Sequence, residues 1–344
     1  PTSIPDEEET DIIYLPDVEN PEIGSTWTSP KDGMELVYVP AGEFTMGSVD
    51  GEENEQPVHQ VYLDGYWIDK TEVTNRMYML CVKSGSCLPP KQSTSITRDQ
   101  YFGKPEFADY PVIFVNWDQA NTYCEWAGRR LPTEAEWEKA ARGENGNKYP
   151  WGDTIPDKSL LNFAGIIGDT TRVGSYPAGS SLYGVLDMTG NVLEWVSDCY
   201  GSRYYLSSPR QNPTGPSVCE HEHRVIRGGT SWEMHPHDWE GAADRMNNLE
   251  NESSAYVGFR CAHKPSELDL EKLFIDVFAP KSGEKVLLMI DSPHENLPDN
   301  GSWADRRVMA EEWHAVITNL GHKLGLSVYP IIIYPATGAH NGQL

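Results

Sequence analysis

At 344 residues the chain has length for one large domain or two ordinary ones, and its formal net charge of −25 repels phosphate backbones and anionic lipid. Nucleic acid and membrane surfaces are therefore disfavoured as partners, while divalent cations and basic groups suit the field. No run approaches the ~18 apolar residues of a membrane span, and with 38% hydrophobic residues but 11 Trp and 17 Tyr, aromatic rings must dominate the packing.

Residues 1–30 hold eight acidic residues and no basic one, punctuated by Pro1, Pro5, Pro16, Pro21 and Pro30, which is the composition of an arm or linker. Within it the apolar run Ile12-Ile13-Tyr14-Leu15 is either a strand to be added to a neighbouring surface or part of a plain tether. A chain opening at Pro1, where a signal peptide's basic and apolar regions would stand, reads as a trimmed mature product. From Met34 short alternating segments, ELVYVPAGEFTMGS and VHQVYLDGYWIDKTEVT, predict strands and the start of a domain. A first helix is expected after Thr71 or Thr74, through Met79 to Val82. A second begins near Asn116, with Ala120, Tyr123, Cys124 and Trp126 at helical spacing before Gly128. In LPTEAEWEKAARG, Thr133 is placed to cap, Glu136 to reach back, and Gly143 to supply a left-handed stop. Cys81 and Cys87 enclose the polar loop VKSGS, as disulfides do in oxidising compartments. The alternative is reduced thiols in a cytosolic protein, but no CxxC or Cys/His zinc spacing is present.

From Gly143 to Cys261 the chain is dense in Gly, Pro, Asn and aromatics, so few regular elements are expected. After His263 the linker HKPSELDLEK leads to an apolar strand over 286–291, a helix from beyond Ser302 to about Leu320, then Gly321 and LSVYPIIIYP. That order predicts a βαβ unit with parallel strands. One amphipathic helix covers only one face of such a sheet, so burial of Ile331, Ile332 and Ile333 against something outside residues 264–344 is expected.

The segments MELVYVPAGEFTMGS, WIDKTEVTN, PVIFVNWDQANTYCEWAGRRLPTEAEWEKAARG, YPWGD, YGVLDMTGNVLEW, RVIRGGTSW and VGFRC, in that order, resemble the formylglycine-generating enzyme (sulfatase-modifying factor) family. The resemblance implies an α+β, loop-rich fold related to C-type lectins over residues 31–263, flanked by the arm at 1–30 and by a linker plus incomplete βαβ unit at 264–344. It implies calcium at two places: one held by the side chains of Asp187 and Glu194 with the carbonyls of Gly190 and Val192, another by Asn162 and Asp169 with carbonyls of Phe163 and Thr171. Hard oxygen donors around a Gly turn suit that ion; alternatively, Asn191 and Glu194 only cap turns beside Trp195. The resemblance also joins Cys124 to Cys261, leaving Cys199 and Cys219 to pair across the SSPRQNPTGP loop. A second family bridge falls on Ala140 and Ala242, so both of its ends are missing together. The tail from 286 onward faintly resembles the opening of a leucyl-aminopeptidase-like domain, with His294 and Glu295 beside Asp291 either a loop cap or a ligand site at a strand end.

The departure from the family lies after Arg227-Gly228-Gly229. Members that oxidise cysteine to formylglycine carry two cysteines there, which bind copper(I) as thiolates. This chain reads GGTSWEMHPHDWEGAADR, with Glu233 at the first position and His237 or Asp238 at the second. The expected function is therefore a non-catalytic, secreted or cell-surface binding or assembly module, calcium-stabilised, that partners with itself, another surface protein or a glycan. Trp232 and Trp239 would line its groove beside Glu233, His235 and His237. The alternative is a metal-dependent oxidase using the Glu233/His235/His237 cluster, with Asp238 and Glu240 adjoining it.

Overall fold

The computed structural model describes residues 21–163, 165–229, 241–264, 280–292, 310–311, 313–318, 320–321 and 324–335. Two units divide the chain, Pro1–Pro265 and Ser266–Leu344.

In the first unit the alternating segments become β1 (Thr26–Thr28), β2 (Glu35–Val39), β3 (Gly42–Met46), β4 (His59–Leu63) and β5 (Tyr66–Asp69). The period of two is visible in β3, where Phe44 and Met46 point inward and Glu43 and Thr45 do not. β1, β2 and β5 pair antiparallel, and β10 (Ala262–His263) closes that sheet on the far edge of β5. A second sheet runs β8 (Arg245–Leu249), β7 (His223–Arg227), β6 (Leu193–Cys199), β9 (Val257–Phe259), parallel only between β6 and β9.

The expected arm is shorter than its composition suggested. Thr26–Thr28 pairs with Glu35–Val37 of β2, Trp27 packs against the core, and buried Asp32 accepts from Tyr123 and Arg129. Composition averages over the acidic residues and misses the one ring and the backbone pairing that bind this stretch to the domain. Ile12-Ile13-Tyr14-Leu15 lies outside the described residues.

The helices start where their caps predict. Helix α1 (Asn75–Ser84) is capped by Thr74, α2 (Trp117–Trp126) by the reciprocal Asn116/Gln119 pair, and α3 (Glu134–Arg142) by the reciprocal Thr133/Glu136 pair. Gly143 has the positive φ of 69° but a ψ of −170°, so it leaves α3 in an extended direction and not through the left-handed turn that was expected. Helix α3 packs against β3, β4, β6 and β7 and is buried along its whole length, charged residues included. Cys81–Cys87, Cys124–Cys261 and Cys199–Cys219 are all bridged, which uses every cysteine in the chain. Ala140 and Ala242, where the family's other bridge would stand, are buried in one core cluster and fill the space with methyl groups.

The second unit is a strand–helix–strand arrangement. Its first strand is split into β11 (Lys285–Val286) and β12 (Met289–Ser292), which pair parallel with β13 (Ser327–Val328) and β14 (Ile332–Pro335). The described residues between 310 and 324 are helical and put Ile317 and Leu320 against Val286, Leu288 and Val328. Gly321 and Leu324 are both helical, and Gly325, with φ 71°, stands in the turn that follows. The expected burial at the last strand is not found: Ile331 is half-buried and Ile332 is 45% exposed, while the side chain of Ile333 lies outside the described residues. Parallel pairing with a covering helix satisfies one face of so small a sheet, and among the described residues Ile332 on the last strand stays exposed.

Candidate functional site

The stretch that distinguishes this chain leaves β7 at Arg227 and returns to β8 at Arg245. Trp232, Glu233, His235, His237 and Trp239 lie outside the described residues, as do Asp238 and Glu240. The residues that flank them in sequence are described. Arg227 donates from Nη2 to Glu138 at 2.6 Å and from Nη1 to Glu134 at 3.2 Å, and also to the carbonyls of Ala242 and Ala243 on the returning side. Arg245 donates to both oxygens of Glu134, at 2.6 and 3.0 Å, and to the Gly201 carbonyl. Glu138 further accepts from Arg142 and from the Gly47 amide. Burial by itself would raise Glu138, but the Arg227 and Arg142 guanidiniums hold it below the usual carboxylate range. Two carboxylates one turn apart on α3 thus hold Arg227 at the end of β7 and Arg245 at the start of β8. The spacing Glu134/Glu138/Arg142 is a visible i, i+4 series; reading it as a surface stripe would miss that all three are buried.

Cysteine contributes no ligand here, since none of the six thiols is free.

At the first expected calcium position the donors are unevenly committed. Both oxygens of Glu194 receive Arg260, at 2.6 and 2.7 Å, and Oε2 also receives the Trp137 indole. Asp187, in the left-handed region at φ 56°, accepts from the Gly174 amide at 2.6 Å. Beside it stands a residue the motif reading passed over, Glu72 of the TEVTN segment. Glu72 is fully buried; Oε1 accepts from Asn191 at 2.9 Å, while Oε2 finds no donor. The Glu72 and Asp187 carboxyls are buried neighbours that act on one another. Burial, and then the neighbouring Asp187 charge, pushes Glu72 well above the carboxylate range, and burial raises Asp187 against the Gly174 hydrogen bond. Three buried carboxylates, Glu72, Asp187 and Glu194, face the one Arg260 guanidinium, and among the described residues they do not close into a metal-binding cluster. Gly190 cannot carry a side chain there, because a Cβ would lie 2.5 Å from the Asn162 carbonyl.

The second expected position does not fit a cation. Asp169 accepts from Ser95, from Thr97 twice and from the Thr170 amide, and Arg98 pairs with it at 3.0 Å. Although burial opposes it, the Ser95 and Thr97 hydrogen bonds keep the Asp169 carboxyl low. Asn162 spends Nδ2 on the Asp169 carbonyl and leaves Oδ1 without a partner; Thr171 donates its amide to Asn191. Phe163 is buried beside Leu161 and Tyr149. Arg98 already supplies the positive charge that an ion would bring.

Comparison with known proteins places this geometry. The family model described as the sulfatase-modifying factor enzyme 1-like domain matches residues 24–265. The serine/threonine-protein kinase Pkn1 of Chlamydia trachomatis is 40% identical over 241 residues, covering 66% of this chain but 38% of that protein, so the chain spans under half the length of such relatives. The formylglycine-generating enzyme of Streptomyces coelicolor is 32% identical over 290 residues, covering 68% of this chain and 90% of the enzyme. The structure of PvdO from Pseudomonas aeruginosa superposes with a TM-score of 0.60 at 27% identity, covering 71% of this chain and all of that one. With its antiparallel and mixed four-stranded sheets, the buried α3 and the shared run of motifs, the chain belongs to the sulfatase-modifying factor family.

Proposed function

We propose that the chain is a non-catalytic binding or assembly module on a sulfatase-modifying factor scaffold. One observation carries this reading: every cysteine is locked in a disulfide, and none lies between Cys219 and Cys261, where copper-binding thiolates would be needed. A cysteine-containing sulfatase peptide incubated with the protein, copper(I) and oxygen is expected to stay unmodified; formylglycine detected by mass spectrometry would overturn the reading. The three disulfides support export to an oxidising compartment. Partners reached through Trp232 and Trp239 would be a second copy, another surface protein or a glycan. Among the described residues no helix is long and apolar enough to cross a membrane.

Calcium belongs to the same proposal, through Glu72 and Asp187 with Glu194 nearby. When bound it would supply the positive charge those carboxylates lack and tie the TEVTN segment to the Gly190 turn. Removing calcium is expected to lower the melting temperature, by ~2.7 kcal/mol of stability where free calcium stands at ~100 times Kd. Glu72→Gln should blunt that response, and a melting curve indifferent to chelator would count decisively against the ion.

A further inference from the structure

On a protein of net charge −25, one described groove is rimmed by cations. It has a volume of about 290 Å³ and lies between α1 and the turn at Pro105–Phe107. Met79, Leu80, Pro105 and Ala108 give it an apolar floor, and Leu80 is 40% exposed. Arg76, Lys83 and Lys104 stand around it. Arg76 is paired with Asp109, which Arg172 also neutralises, whereas Lys83 and Lys104 form no ion pair among the described residues. Glu106 is the acidic neighbour on the same turn, so the excess here remains positive. Asn75, 3% exposed at the edge of the groove, donates to the Phe107 carbonyl and leaves Oδ1 without a partner.

These features select among ligands. Phosphate, free or in a nucleic acid, would answer the cations but would leave the aliphatic floor bare. A peptide with carboxylates around adjacent aliphatic residues answers both. The sequence contains such a segment: residues 6–19 carry seven acidic residues around Ile12-Ile13-Tyr14-Leu15 and no basic one. We propose that this groove receives residues 6–19 of this chain, with aliphatic side chains on Met79 and Leu80 and carboxylates on Lys83, Lys104 and Arg76. This concerns different residues from the 230–240 segment, so its failure would leave the reading above standing.

Zero-length carbodiimide cross-linking of the full chain, read by mass spectrometry, tests it. Cross-links from carboxylates in 6–19 should concentrate on Lys83 and Lys104, two of the chain's thirteen lysines. Their yield should fall roughly fivefold between ~0.1 and ~1 M salt, as the Debye length shrinks from ~10 to ~3 Å. Leu80→Glu, a change at an exposed position, should reduce them similarly, with circular dichroism confirming that the variant folds; the salt series stands alone if it does not. Mixing isotopically light and heavy protein shows whether the segment comes from the same copy or a second one, and either supports the proposal. Cross-links spread evenly over the lysines, or insensitive to both salt and Leu80→Glu, would overturn it.

Discussion

Arg227→Met is expected to cost roughly 3–5 kcal/mol, the usual penalty for removing one partner from a buried ion-pair network. Arg227 is fully buried and bridges Glu134 and Glu138 while holding the Ala242 and Ala243 carbonyls. Methionine matches much of the volume, so the loss arises from charge and hydrogen bonds and not from a cavity. Glu138 would keep Arg142, and Glu134 would keep Arg245, but each would have lost its shared counter-charge in a low-dielectric interior. Adding Glu138→Gln should return part of the stability, because one uncompensated carboxylate is then gone. Denaturant titration of the single and double variants measures this. A loss below about 1 kcal/mol for Arg227→Met would mean that water reaches the network.

The second large effect concerns the bridges, whose cost should scale with loop length. Cys124–Cys261 spans a sequence separation of 137, Cys199–Cys219 of 20 and Cys81–Cys87 of 6. Loop-closure entropy alone gives about 5, about 3 and about 2 kcal/mol for them in that order. Paired Cys→Ala replacement at 124 and 261 should therefore be the most damaging of the three. It also sits in the core: Cys124 belongs to α2, Cys261 precedes β10, and both side chains are fully buried. Melting of the three paired variants checks the order. If the variant lacking Cys81–Cys87 proves the weakest, local strain or packing governs these bridges and the entropic account fails here. Against the ~5–15 kcal/mol typical of whole domains, the long bridge alone is a substantial fraction.

Much of the fold was legible because it is written locally. Thr74, Asn116 and Thr133 are N-caps by chemistry, and the reciprocal partners of the latter two, Gln119 and Glu136, stand three residues on. The alternation in β3 and β4 states which face is inward before any partner is known. The limits of the arm and of the last helix were less legible. Trp27 enters the domain through a contact with residues far along the chain, and Gly321 stays helical because the turn does not come until Gly325. A glycine ends a helix only where packing turns the next residues away from the helix axis, and residue type alone does not say where that happens.

The site divides in the same way. Absence of thiolates after Arg227-Gly228-Gly229 is a property of composition, settled by the sequence alone, and so is the acidic balance that makes cations welcome. Which carboxylates are short of charge is a property of the tertiary structure. Asp169 and Asp187 were both expected as calcium ligands, yet Arg98, from a distant loop, neutralises the first, while the second neighbours Glu72. Electrostatic energy depends on distance and burial, and both are fixed only when segments more than a hundred residues apart, such as Glu72 and Asn191, fold against one another.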